Sequence, residues 1–162
     1  MTTIPAPELW EDFPLHVNVL VIGSDPETGE VLSEELVHNL IVTSGKVLVT
    51  RMLMEESGFD TGITYCEVGT DNTAAVIGDT DLNTGTKRNV ITSTIRTSNE
   101  VQFRTFFAAA DITDYLKEVG LFGHSTASST LGTGELFNRA IIDFDNSAGT
   151  KDMTIVIQLT VG

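Results

Sequence analysis

Cysteine is almost missing from this chain: Cys66 is the only one in 162 residues. An intrachain disulfide is therefore excluded, as is a thiolate metal cluster built within one chain. Such usage fits maturation in a reducing compartment. No apolar run approaches the roughly 18 residues of a membrane-crossing helix. The opening MTTIPAPELWEDF has neither the basic start nor the apolar stretch of a secretory signal. Basic residues are scarce too, 9 against 23 acidic ones, for a net charge of −14. A surface of that sign repels phosphate backbones and acidic leaflets, so neither nucleic acid nor a membrane is expected as a partner. Aromatic residues make up 7% of the chain, which leaves few stacking platforms for sugars.

Proline is also rare, and its distribution divides the chain. Three of the four prolines lie at positions 5, 7 and 14. Proline removes an amide donor and disfavours helix in the residue before it, so residues 1–14 read as an extended arm. Ile4, Leu9, Trp10 and Phe13 are unusually apolar for a free tail. Trp10 and Phe13 are the candidate assembly contacts, made with the arm's own body or with a neighbour. Residues 15–162 read as one domain of a size that buries a substantial core.

Within that body the patterning is mostly of period two. HVNVLVI alternates through Val17, Val19 and Val21, and Asp25-Pro26-Glu27-Thr28-Gly29 supplies turn chemistry. The closing MTIVIQLTV gives the cleanest alternation, with Met153, Ile155, Ile157, Leu159 and Val161 on one face. ITYCEVG reads as a short strand containing Cys66, a buried hydrophobe rather than a nucleophile. The polar stretch 70–89 reads as a surface loop anchored by Val76, Ile77 and Leu82. Residues 89–110 read as a hairpin turning at Ser98-Asn99-Glu100, with Ile91 and Ile95 on one arm and Val101, Phe103 and Phe107 on the other. One helix is expected near residues 44–57, capped by Ser44 and ended by Gly58. No βαβ alternation appears. The reading is mainly β: an antiparallel, jelly-roll-like β-sandwich with one helix.

Chemistry-bearing motifs are thin. His16, His38 and His124 share no metal-ligand spacing, and no HExxH is present, so no metal is expected. SGKVLVT lacks the first glycine and the Ser or Thr of a phosphate loop. LGTGELF lacks the third glycine of a dinucleotide fingerprint. No cofactor is expected. Asp79 and Asp81, Asp111 and Asp114, and Asp143 and Asp145 read as solvated loop acids rather than a calcium loop. In EVGLFGHSTASSTLGTGELFNRAIIDF, residues 118–144, two strand-like pieces flank a Gly/Ser/Thr run. Glu118 and Arg139 are the candidate structural ion pair across that hairpin, and Lys87 and Arg88 are alternative partners for Glu118. Pairing for the fold is favoured over catalysis.

A family pattern follows from the order of these pieces. Tyr65, Val68, Gly69 and Thr70 end a strand, and Asp79, Thr80 and Leu82 sit in a Thr/Ala-rich loop. Arg88 opens a hairpin. Glu118, Gly120, Leu121 and Phe122 precede Leu136, Phe137 and Arg139, and Lys151 leads into the last strand. This order, over about residues 40–162, resembles a group of small virion structural proteins of tailed bacteriophages. It departs from them at Asp71, where the third residue of a Gly-Thr-Gly is usual, and in the 72–77 loop. The resemblance implies a non-enzymatic β-rich building block on the particle exterior. It would be a capsid decoration or adaptor-like piece, in contact with other phage structural proteins and forming a homo-oligomer, a trimer or a larger ring. The alternative is a tail fibre or a receptor- or carbohydrate-binding module.

Overall fold

The computed structural model describes residues 15–162. The arm, with Trp10 and Phe13, lies outside the described residues. The alternating apolar residues fold into two antiparallel five-stranded sheets stacked face to face. The first runs β2 (Val31–His38), β1 (Leu15–Ser24), β10 (Asp152–Val161), β7 (Glu100–Phe107), β6 (Ser93–Thr97). The second runs β3 (Leu40–Ile41), β9 (Glu135–Asp145), β8 (Tyr115–Gly123), β4 (Ile63–Gly69), β5 (Gly85–Val90). The chain changes sheets after β2, β5, β7 and β9.

Between the sheets lies one continuous core. β1 contributes Val17, Val19 and Val21, β7 contributes Phe103 and Phe107, and β10 contributes Met153, Ile155 and Ile157. From the other side come Cys66, Val68, Leu116, Val119, Leu121, Phe137, Ile142 and Phe144. Each such side chain buried contributes about 1.5–3 kcal/mol for the larger aliphatics and phenylalanine. The registers Val19↔Ile157 and Ile157↔Phe103 place the inward residues of three neighbouring strands side by side. The expected turn after β1 is present, with Asp25 Oδ1 accepting from the amides of Glu27 (2.9 Å) and Thr28 (2.8 Å).

The helix α1 spans Thr43–Leu53, shorter than the expected 44–57. Its N-cap is Val42, with no side-chain cap. The Ser44 hydroxyl instead donates to the carbonyl of Leu136 at 2.7 Å, tying the helix to β9. The helix stops early because Met54 and Glu55 turn back onto the carbonyls of Arg51 and Met52, with Glu55 at φ 51°. Gly58, at φ +87°, serves the following loop rather than the helix end. α1 rests on a bulge in β9, where Leu136 and Asn138 face Phe122 and Leu121 and leave Phe137 as the extra residue. The freed Phe137 carbonyl accepts from Val42 N, and a Cβ on Gly45 would collide with it. Glycine is what lets the helix lie this close.

Three further expectations are corrected. The 70–89 stretch is not all loop: residues 85–90 form β5. Leu82 is buried, but Val76 and Ile77 are exposed, so only one of the three anchors holds. The arm before Ser98 is shorter than expected, because the chain crosses between sheets at Ile91-Thr92. Ile91 packs against the core while Ile95 is 57% exposed on the opposite face.

Candidate functional site

The outer face of the second sheet is unusual because it is itself buried. Two loops, residues 70–84 and 124–134, lie across it. Beneath them sit a small apolar cluster of Val42, Leu82, Phe122 and Leu136 and a set of fully buried charges. A β-strand covered on both faces puts consecutive residues out of water. In β4, Cys66 faces the core while Glu67 faces the covering loops, and both are buried.

Glu118 on β8 and Arg139 on β9 meet there. They are not directly opposite: Glu118 faces Ile141, and Arg139 faces Gly120. This diagonal offset suits two long side chains, and Arg139 Nε donates to Glu118 Oε2 at 2.8 Å, with both side chains wholly buried. The remaining capacity of each group is turned toward the 70–84 loop. Arg139 Nη1 donates to Asp79 (3.1 Å), and Nη2 donates to Asp71 (3.3 Å) and to the carbonyl of Thr73 (3.0 Å). Glu118 accepts from the amides of Asn83 (3.0 Å) and Thr84 (2.7 Å). Burial pulls the Arg139 guanidinium toward deprotonation, but hydrogen bonds and charge from Glu118 and Asp79 outweigh it and raise its pKa. Asp71 is held below the usual carboxylate range by the Asn83 side chain, by hydrogen bonds from Thr73 and by Arg139.

A second pair, which the sequence reading did not single out, repeats the arrangement for the other loop. Arg88 on β5 is directly opposite Glu67 on β4, and its Nε donates to Glu67 Oε2 at 2.5 Å. Its Nη1 reaches the carbonyl of Thr133 (2.5 Å), the Thr133 hydroxyl (3.1 Å) and the carbonyl of Ser128 (3.4 Å). The guanidinium also stacks 3.9 Å from the centre of the Phe122 ring. Burial pushes the Glu67 carboxyl up, and Arg88 only partly opposes it. Arg88 is therefore committed to Glu67, and Lys87 pairs with Asp111 at 3.4 Å, so neither takes Glu118. A carboxylate in the interior strand ITYCEVG was the available signal.

Charges removed from water this way are tolerated only when paired and fully hydrogen-bonded. The Glu118–Arg139 pair meets that condition by recruiting loop backbone. The Glu67–Arg88 pair nearly does, since Arg88 Nη2 lies beside Glu67 Oε2 but makes no hydrogen bond. Each thus acts as a clamp: Glu118–Arg139 on residues 70–84, Glu67–Arg88 on residues 124–134. The remaining candidates do not converge. Asp81 accepts from its neighbour Leu82 N, Asp143 from Tyr115 and Lys117, and Asp145 from Ser147. Among the described residues no group of three or more His, Cys, Asp or Glu side chains could hold a metal ion. Cys66 is buried and its thiol is pushed up to about 12, first by burial. Asn146, also missed, organises the turn before β10. Its Nδ2 donates to the carbonyls of Ile112 and Lys151, each at 2.9 Å, and its Oδ1 accepts from Thr150 and Lys151.

An open cleft of about 500 Å³ lies beside α1, lined by Ser44, Val47, Arg51, Phe59, Asp79 and Glu135 among others. Its one aromatic ring, Phe59, is buried between Arg51 and His124. Comparison of the chain with protein-family models, with curated proteins and with solved structures gives no match.

Proposed function

We propose that this chain is a non-enzymatic structural protein of a tailed-phage virion, assembling with copies of itself on the particle exterior as a capsid decoration or adaptor-like component. The resemblance in motif order motivates the reading, and one structural observation carries it: the solvent face of the first sheet is apolar along its middle. Leu36 is opposite Leu20, and Leu20 is opposite Val156, which forms a continuous aliphatic row across β2, β1 and β10. Ile22, Phe106 and Ile95 lie on the same face, interrupted by Thr154, Gln102 and Arg104; Leu36 is 67% and Phe106 43% exposed, Leu20 and Ile22 are half-buried and Val156 is buried. On an antiparallel sheet that face is ordinarily polar, and exposed apolar residues such as Leu36 and Phe106 suit a contact site. The clamps beneath the loops suit the same role, because they stiffen the unit and occupy its buried ionisable groups.

The test is solution mass. The full chain is expected to form a trimer or larger ring, and Leu36→Glu to dissociate it without unfolding it. A wild-type chain that stays monomeric at the highest attainable concentration overturns the reading.

The second reading, a receptor- or carbohydrate-binding tail module, is favoured by the cleft beside α1, where Arg51, Asp79 and Glu135 offer polar contacts over an apolar floor. Glycan-array binding lost on Arg51→Ala would support it over the first.

A further inference from the structure

The first sheet ends in two edges of opposite charge. β2 lies at one side and β6 at the other, and no described strand pairs with the outer edge of either. An unpaired edge is a template for another strand unless something guards it. β2 carries Glu34 and Glu35 and no lysine or arginine. β6 carries Arg96 and no acid, and its Ser93 is opposite Arg104 on the neighbouring β7. Glu34, Arg96 and Arg104 form no ion pair among the described residues. Each edge therefore repels a copy of itself and attracts the other. Each also presents an exposed aliphatic on the outer face, Leu36 (67%) on β2 and Ile95 (57%) on β6.

We propose that β6 of one chain takes β2 of a second copy as its next strand, head to tail, so that the sheet continues from subunit to subunit. The inference rests on the self-assembly proposed above and names its contact. Every step of the order β2-β1-β10-β7-β6 is antiparallel, so β2 and β6 run in the same direction. A copy that keeps the same face outward therefore pairs them in parallel. Glu34, Leu36 and His38 share the outer face, opposite Ile22, Leu20 and Asn18. With Leu36 beside Ile95, Glu34 falls beside Ser93, in line with Arg104, and His38 falls beside Thr97, in line with Glu100. One register thus sets carboxylate toward guanidinium, aliphatic beside aliphatic, and an imidazole N–H donor toward a carboxylate. Strands about 4.8 Å apart leave Glu34 and Arg104 about 10 Å apart at the backbone, a gap that their long side chains bridge. A slip of two residues in either direction loses both charge matches, and a slip of one turns the outer residues of β2 to the inner face. The contact joins two different edges, so it is heterologous and builds a ring where the rotation closes.

The experiment measures the solution mass of the full chain carrying Leu36→Lys, Ile95→Lys, or an equimolar mixture of the two variants. Each variant alone is expected to be monomeric, because each has one blocked edge. The mixture is expected to form a dimer and nothing larger, because it holds one competent β2 edge and one competent β6 edge. That recovery also shows that both variants are folded. Leu36→Gln and Ile95→Gln repeat the measurement where a lysine disturbs folding. An oligomer that survives Ile95→Lys but not Leu36→Lys overturns the proposal and leaves the self-assembly reading standing, with like surfaces in contact. A mixture of folded variants that stays monomeric overturns it too. A wild-type chain that is monomeric removes both readings together.

Discussion

The carboxylate of Glu67 occupies the space that a side chain on Gly85 would fill. A Cβ built on Gly85 would overlap Glu67 Oε1, and one on Gly69, opposite Gly85 in the β4–β5 register, would come within 2.6 Å of Glu118 Oε1. One glycine thus accommodates each buried acid. Gly85→Ala should therefore destabilise the fold by about 1–3 kcal/mol through overpacking. Gly78→Ala, in open space, should be neutral or slightly stabilising. Denaturant unfolding of the two variants measures the difference, and equal stabilities would remove the packing argument.

Asn146 joins the end of β9, the segment after the short 3-10 turn at Ala109–Asp111, and the entry to β10. Asn146→Ala leaves several buried backbone groups unpaired, each costing roughly 1–3 kcal/mol. A loss of about 3 kcal/mol or more in unfolding free energy is expected, against a much smaller loss for Asn83→Ala in the exposed loop.

Much of this was legible beforehand. Period-two runs such as 153–161 gave strand identity because one face meets the core and the other does not. The pairing of Glu118 with Arg139 was readable from two charges on adjacent apolar strands. Their burial was not, because it depends on loops folding over the sheet, and a polar sequence such as 70–84 carries no local sign of that. Glu67 was hidden for the same reason: alternation puts it on the outer face, which is solvent in a sheet covered on one side only. The helix end was misplaced because Gly58 resembles a terminator, while the actual stop is set by Glu55 in a left-handed conformation.

Stability should peak on the acid side of neutrality. Burial raises the Glu67 carboxyl in the folded state, so its proton is bound more tightly there than in the unfolded chain. Its contribution falls as pH rises through the range above an ordinary carboxylate and recovers as pH drops back. Asp71 is depressed by Asn83 and Thr73, and Asp143 by Lys117 and Tyr115. Their contribution is complete above the unfolded carboxyl value and is lost as pH falls through the folded one. Thermal unfolding across this range should show both limbs, and Glu67→Gln should flatten the limb nearer neutrality. An unchanged limb in that variant would contradict the assignment.

Cys66, with its thiol pushed up to about 12, should resist thiol reagents in the native protein. Titration with a chromogenic disulfide at mildly alkaline pH should count no thiol in buffer and one in denaturant. Labelling of the native chain at the rate of a free thiol would show that β4 opens readily.

The central claim is that each buried ion pair holds down one loop, and amide hydrogen exchange tests it segment by segment. Arg139→Met should speed exchange across residues 70–84 and leave 124–134 protected. Arg88→Met should do the reverse. Equal acceleration of both loops by both substitutions, or by neither, would contradict the account.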